Sequence, residues 1–168
     1  MDPRIQIIPS RTRRLDAEKP APHAVLHAHE QPTSGIVYAD VALEARHLPA
    51  RLLPLFPLFC RSLTNMGGRG EGLAELTDRI GRLTGGVSAS PLVTCAQQRA
   101  EEPKAFLLLR GKAVAGKAPD LFRLLGDVAE ECSLRDCARF REMVLETRAG
   151  LEAGALGAGN ALASSRLD

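Results

Sequence analysis

Three histidines, His23, His27 and His29, stand with Glu30 near the amino-terminal end and form the densest group of metal-ligating residue types in this 168-residue chain. A catalytic zinc centre needs three fixed protein ligands and a fourth position left open for water or substrate. In the helical zincin motif, two histidines sit on successive turns with a glutamate between them. His29-Glu30-Gln31-Pro32-Thr33 begins that way and then departs from it. Thr33 stands in the place of the second histidine, and Pro32 breaks the helix that would aim both rings at one ion. The inverted order, His-x-x-Glu-His, does not occur. His27 and His29 would share one face of a strand, and all three are read as surface or strand-edge histidines, with no metal ligand assigned.

The other chemistry-bearing groups have equally plain readings. Gly67-Gly68-Arg69-Gly70-Glu71-Gly72 precedes a helical pattern, as a phosphate loop does, but it lacks the Lys-Ser/Thr pair and follows a helix instead of a strand. It is read as a flexible turn between helices. Cys60, Cys95, Cys132 and Cys137 form no Cys-x-x-Cys pair, and no histidine neighbours any of them in sequence to hold a thiolate. They are read as reduced thiols. Ser62, Ser88 and Ser90 lack the Gly-x-Ser-x-Gly elbow that exposes a nucleophile. No catalytic and no cofactor-binding residue is assigned.

Composition narrows the functional classes further. The apolar fraction of 45% is enough for one ordinary core, which must be aliphatic because the chain has no Trp and a single Tyr. A net charge of +2 with mixed signs provides no field for a nucleic-acid backbone or an anionic membrane. No stretch approaches the roughly 20 apolar residues of a bilayer span, so a soluble chain with neither partner is expected. Arg11, Arg13 and Arg14 are interrupted by Asp2, Asp16 and Glu18, whereas transit peptides are poor in acids.

The elements that would position these groups follow from periodicity. Residues 1–22, with Pro3, Pro9, Pro20 and Pro22 among clustered charges, read as a flexible linker. Ala24 to Ala28 and Gly35 to Leu43 read as strands that could form a hairpin, the second placing Val37, Ala39, Val41 and Leu43 on one face. A bent lead-in from Pro49 gives way to a helix from Pro57 to Met66, ended by Gly67, and a second helix carries Leu73, Leu76, Ile80 and Leu83. Val87 to Thr94 and Lys104 to Val114 read as an antiparallel pair. Pro119 opens a third helix, and Ser133 to Asp136 reads as a capping box for a fourth. Strands, two helices, strands, two helices is the order of an α+β fold with a largely antiparallel sheet and helices on one face. Residues 23–152 make that domain, and 153–168 read as a loosely held Gly/Ala-rich tail.

Five stretches in this order carry a resemblance: Thr33-Ser34-Gly35-Ile36-Val37-Tyr38-Ala39-Asp40-Val41, Leu52-Leu53-Pro54-Leu55-Phe56-Pro57-Leu58-Phe59-Cys60, Ile80-Gly81-Arg82-Leu83-Thr84-Gly85-Gly86-Val87-Ser88, Leu109-Arg110-Gly111-Lys112-Ala113 and Ala118-Pro119-Asp120-Leu121-Phe122. Together they make His23 to Asp168 resemble the presequence-protease subfamily of the pitrilysin-type, or inverzincin, zinc metallopeptidases. The likeness is to the first domain of that family's carboxy-terminal half. The chain departs from the family pattern at Gly67 to Gly72, at Cys95 to Ala100 and at Gly157-Ala158-Gly159-Asn160.

The resemblance implies four related α+β domains closing as two halves around a chamber, with zinc and the general base in the first domain. This chain would then be an incomplete, non-catalytic piece of chamber wall, holding no cofactor and inactive alone. Its implied partners are the amino-terminal catalytic half and the following carboxy-terminal domain, with targeting peptides and other short unstructured peptides met only in the assembled chamber. A mitochondrial matrix or plastid stroma is the implied location. The alternative is a free-standing interaction module that binds a partner chain or peptide; an independent enzyme is the least supported reading.

Overall fold

A computed structural model describes residues 10–15, 24–68, 70–96 and 99–164. The chain divides into two compact units, Met1–Gly35 and Ile36–Asp168.

In the first unit, strand β1 (Ser10–Leu15) pairs antiparallel with β2 (Ala24–His29), from Ser10 opposite His29 to Leu15 opposite Ala24. This differs from two expectations. A strand lies within the stretch read as linker, and β2 does not form a hairpin with the strand that follows it. Arg11, Thr12 and Arg13 are all exposed, so polar side chains lie on both faces of β1 and no apolar alternation betrays it. β2 is exposed along its whole length and has no buried face to offer a core strand.

The second unit is an α+β layer. Its sheet has the order β3-β5-β4, with β3 (Ile36–Glu44) and β4 (Val87–Ala96) both antiparallel to the central β5 (Arg99–Val114). Cross-strand matching selects β5 as the partner of β3: Val37, Ala39 and Val41 lie opposite Ala113, Gly111 and Leu109. Those residues make one apolar face, completed by Val87 and Ala89. Pro91 lies on β4, an edge strand of this sheet, the kind of strand to which proline is confined.

Helices cover that face. A 3-10 helix (Ala50–Leu55) leads into α1 (Phe56–Asn65), so the irregular entry expected around Pro54 is a tight turn and the regular helix begins one residue before Pro57. α2 (Leu73–Leu83) and α3 (Ala118–Glu130) follow, and Leu63, Leu109, Leu121, Leu124 and Leu125 are fully buried between the layers. Burial of each contributes about 1.5–3 kcal/mol. Gly111 lets α3 settle close to β5: a Cβ there would lie 2.5 Å from a methyl of Leu121, which would have to shift.

α4 (Cys137–Gly157) is capped by Asp136, whose carboxylate accepts from the N–H of Arg139 at 2.9 Å. Ser133 was the expected cap, but the chain is still non-helical there, and Asp136 is the residue placed at the first turn. α4 runs on through the Gly/Ala-rich stretch to Gly157, and α5 (Gly159–Ser164) follows. Alanine favours helix strongly enough to carry the pattern past Gly150 and Gly154. No helix among the described residues is long and apolar enough to cross a membrane.

Candidate functional site

The residues that converge are charges holding helices together, most of which the sequence pattern leaves on solvated faces. Arg79 of α2 divides its guanidinium between two carboxylates: Nη1 donates to Asp127 Oδ2 of α3 at 2.6 Å, and Nη2 donates to Glu71 Oε1 at 2.5 Å. All three side chains are at least four-fifths buried. Burial works against the Arg79 charge, but hydrogen bonds and Coulomb attraction from Asp127 and Glu71 outweigh it and hold the pKa above its ordinary value.

Glu71 is placed by the glycine-rich segment, which is more than a flexible turn. Gly68 and Glu71 exchange backbone hydrogen bonds of 3.1 and 2.8 Å, and the carbonyl of Gly67 accepts from the N–H of Ser133 at 3.1 Å. The turn is thereby pinned to the end of α3. Gly67 has φ of +86°, and a Cβ on Gly68 would stand 2.5 Å from the carbonyl oxygen of Glu131. α2 starts directly afterwards, with Glu75 reaching back to accept from the N–H of Gly72 at 2.6 Å.

Between this turn and the start of α4 lies an open cleft of about 560 Å3, bordered by Met66, Glu71, Ser133, Arg135, Arg139 and Glu142 among others. Two helix N-termini meet there, yet both are already capped by carboxylates, Glu75 and Asp136. Arg139 is engaged by Glu146 at 3.2 Å and Glu142 at 3.3 Å, which raise its pKa, and by the carbonyl of Asn65 at 3.3 Å. Arg61 of α1 likewise donates to Thr147 Oγ1 at 2.6 Å and Glu146 Oε2 at 2.9 Å. These groups satisfy one another, and the arrangement ties α1, α2, α3 and α4 together. It assembles no nucleophile with a base beside it.

The residues weighed from sequence are dispersed. His23 lies outside the described residues; His27 and His29 sit exposed on β2. Cys60 is buried, and burial pushes its thiol up to about 11 against a weaker lowering by a backbone hydrogen bond. Cys132, raised by burial, donates to the Ser62 carbonyl at 3.7 Å, while Cys95 and Cys137 are exposed. Ser62 is buried and donates to the carbonyl of Phe59 at 2.6 Å. Among the described residues no three His, Cys, Asp or Glu side chains gather to hold a metal ion. That donor set does not fit a catalytic zinc.

The sheet face turned away from the helices holds Tyr38 and Lys112, then Asp40, Arg110 and Ser88, then Ala42, Leu108 and Ser90, then Glu44, Phe106 and Leu92. Arg110 donates to Asp40 Oδ2 from Nη2 at 3.1 Å and from Nε at 3.2 Å. Leu92 and Tyr38 are exposed on it.

Among the described residues the second unit is a helix-backed antiparallel sheet that brings no nucleophile and base together. The chain belongs to the peptidase-associated family of the M16 peptidases, subfamily C, whose sequence profile matches residues 4–168. It is 38% identical over 140 residues to presequence protease 1, chloroplastic/mitochondrial, of Arabidopsis thaliana, covering 83% of this chain and 13% of that protein. It is 29% identical over 137 residues to the mitochondrial presequence protease of Danio rerio, covering 82% and 13%. Against protein HypA of Clostridium perfringens the identity is 24% over 160 residues, covering 95% and 16%. The chain thus spans about an eighth of the length of the presequence proteases it matches.

Proposed function

We propose that this chain is a non-catalytic structural domain of a presequence-protease-type zinc metallopeptidase, forming part of the wall of its closed peptide chamber. The observation that carries the reading is the family match across residues 4–168. The cross-helix ties support it, because a wall needs a rigid helix layer behind its sheet. In this reading zinc is bound by the amino-terminal half, the neighbours are that half and the following carboxy-terminal domain, and the substrates are targeting peptides and other short unstructured peptides. The names of the relatives support a mitochondrial or plastid location.

The test is peptide cleavage. The purified chain should not cleave an unstructured peptide, and deleting the corresponding segment from a full-length relative should abolish cleavage while the first domain keeps its zinc. Chelator-sensitive cleavage by the chain alone would overturn the reading.

A second reading, a free-standing module that binds a partner chain or peptide, is favoured by one observation. Leu52, Leu53, Leu55 and Phe59 are exposed close together around the entry to α1, an apolar concentration that monomers tend to cover. Self-association at the concentrations of light scattering, lost on Leu55→Ser with Phe59→Ser, would support this reading.

A further inference from the structure

We propose that the β1-β2 hairpin carries a surface site for a divalent late d-block ion, Cu(II) above all, formed by His27 and His29 and oriented by Thr12. The site is independent of the peptidase reading. It rests on a juxtaposition that the linker reading of residues 1–22 hides, namely β1 lying against β2.

His27 and His29 are two residues apart on one strand, so their side chains leave the same face. Their Cα atoms are then separated by about 6.7 Å, a span that two imidazoles can close onto one ion. The residues directly opposite are short and neutral: Thr12 faces His27, and Ser10 faces His29. Both rings are in water, so an ion can reach them with its remaining positions hydrated.

Thr12 provides the orienting contact. Its Oγ1 lies 3.1 Å from Nδ1 of His27. When Nδ1–H donates to that hydroxyl, the lone pair of the neutral ring is on Nε2, free for a metal. Ligating histidines are held in this way by a partner on their other nitrogen. Arg11 lies in register on the opposite face, opposite Ala28, and is paired with Glu30 at 3.3 Å.

The donor set selects the ion. Two imidazoles without a carboxylate suit Cu(II), Ni(II) and Zn(II), not Ca(II) or Mg(II), and among the former Cu(II) binds tightest. Two protein ligands with water completing the shell give a binding site, not the three-ligand centre of a hydrolase.

The experiment titrates the full 168-residue chain with Cu(II), its two exposed thiols replaced as Cys95→Ser and Cys137→Ser because free thiols reduce and bind copper, read by calorimetry and electron paramagnetic resonance. One saturable equivalent with two coupled imidazole nitrogens is expected. His27→Ala or His29→Ala should remove one nitrogen and weaken binding at least about tenfold, and Thr12→Val should weaken it about tenfold with both nitrogens retained. His47→Ala, which alters another exposed histidine, should change nothing. Absence of a saturable equivalent, or equal loss in His47→Ala, overturns the proposal; so does full affinity in His29→Ala. Peptide cleavage is not the readout, so failure here leaves the peptidase reading standing, and failure of that reading leaves the site standing.

Discussion

Replacing Arg79 by Met tests whether the largely buried charges between α2, α3 and the glycine turn stabilise the fold. Met keeps an aliphatic stem in the same space, so the change is mainly loss of the guanidinium. Exposed ion pairs contribute at most about 1 kcal/mol, whereas removing one partner of a buried pair costs about 3–5 kcal/mol. Arg79, Glu71 and Asp127 retain 19%, 20% and 11% of their side-chain exposure, which places the loss near the lower end of the buried range, about 3 kcal/mol. For a chain of this length that lowers the thermal midpoint by roughly 6–12 °C. Urea unfolding followed by circular dichroism should show a lower midpoint with an unchanged slope, because the same surface is exposed on unfolding. Arg79→Lys should fall between the two, since an ammonium cannot fork to two carboxylates in fixed geometry. A double-mutant cycle with Asp127→Asn isolates the pair. If Arg79→Met stays within about 0.5 kcal/mol of the parent protein, the network is ornamental and the reasoning fails.

Two further outcomes follow from the same packing. Gly68→Ala should destabilise by about 1–3 kcal/mol, because its Cβ meets the backbone carbonyl of Glu131 and not a movable side chain; Gly81→Ala, in open space on α2, should instead stabilise by up to about 1 kcal/mol, and equal effects in chemical denaturation would refute the contrast. Because Cys60 has its thiol pKa raised to about 11 from 9.0, its stabilising contribution is complete below about pH 9 and is lost as pH rises from about 9 to about 11, where the unfolded thiol ionises first. Cys60→Ala should flatten that part of the stability curve. In native protein near pH 8, Cys95 and Cys137 should react with a thiol reagent while Cys60 waits for denaturant, and labelling of Cys60 as fast as Cys137 would contradict its burial.

What the sequence made legible was periodic. Val37, Ala39 and Val41 announce a one-sided strand, and Leu121, Leu124, Leu125 and Val128 announce an amphipathic helix, because burial imposes periods of about 2.0 and 3.6 on side-chain type. β1 escaped because a strand wetted on both faces has no such constraint. β3 takes β5 and not the adjacent strand as its partner because pairing is decided by which strand supplies a matching apolar face, and β5 lies far along the chain, with Asp40 meeting Arg110 across 70 residues. Asp136 displaced Ser133 as a cap because both residue types serve, and only the path of the chain after α3 chooses between them.

The charged contacts were illegible for a different reason. Arg79 reaches Asp127 across 48 residues, Arg139 reaches Asn65 across 74 and Arg61 reaches Glu146 across 85, and no local pattern encodes such separations. Arginine suits this work because its long apolar stem can lie along the leucine layer while its planar head gathers two or three acceptors at the rim. The core supplies cohesion with little geometric specificity, since it is almost wholly aliphatic and leucine side chains exchange places at small cost. Hydrogen-bonded guanidinium groups supply direction: each fixes one helix against a particular turn of another. In this domain that directional restraint resides in Arg61, Arg79 and Arg139.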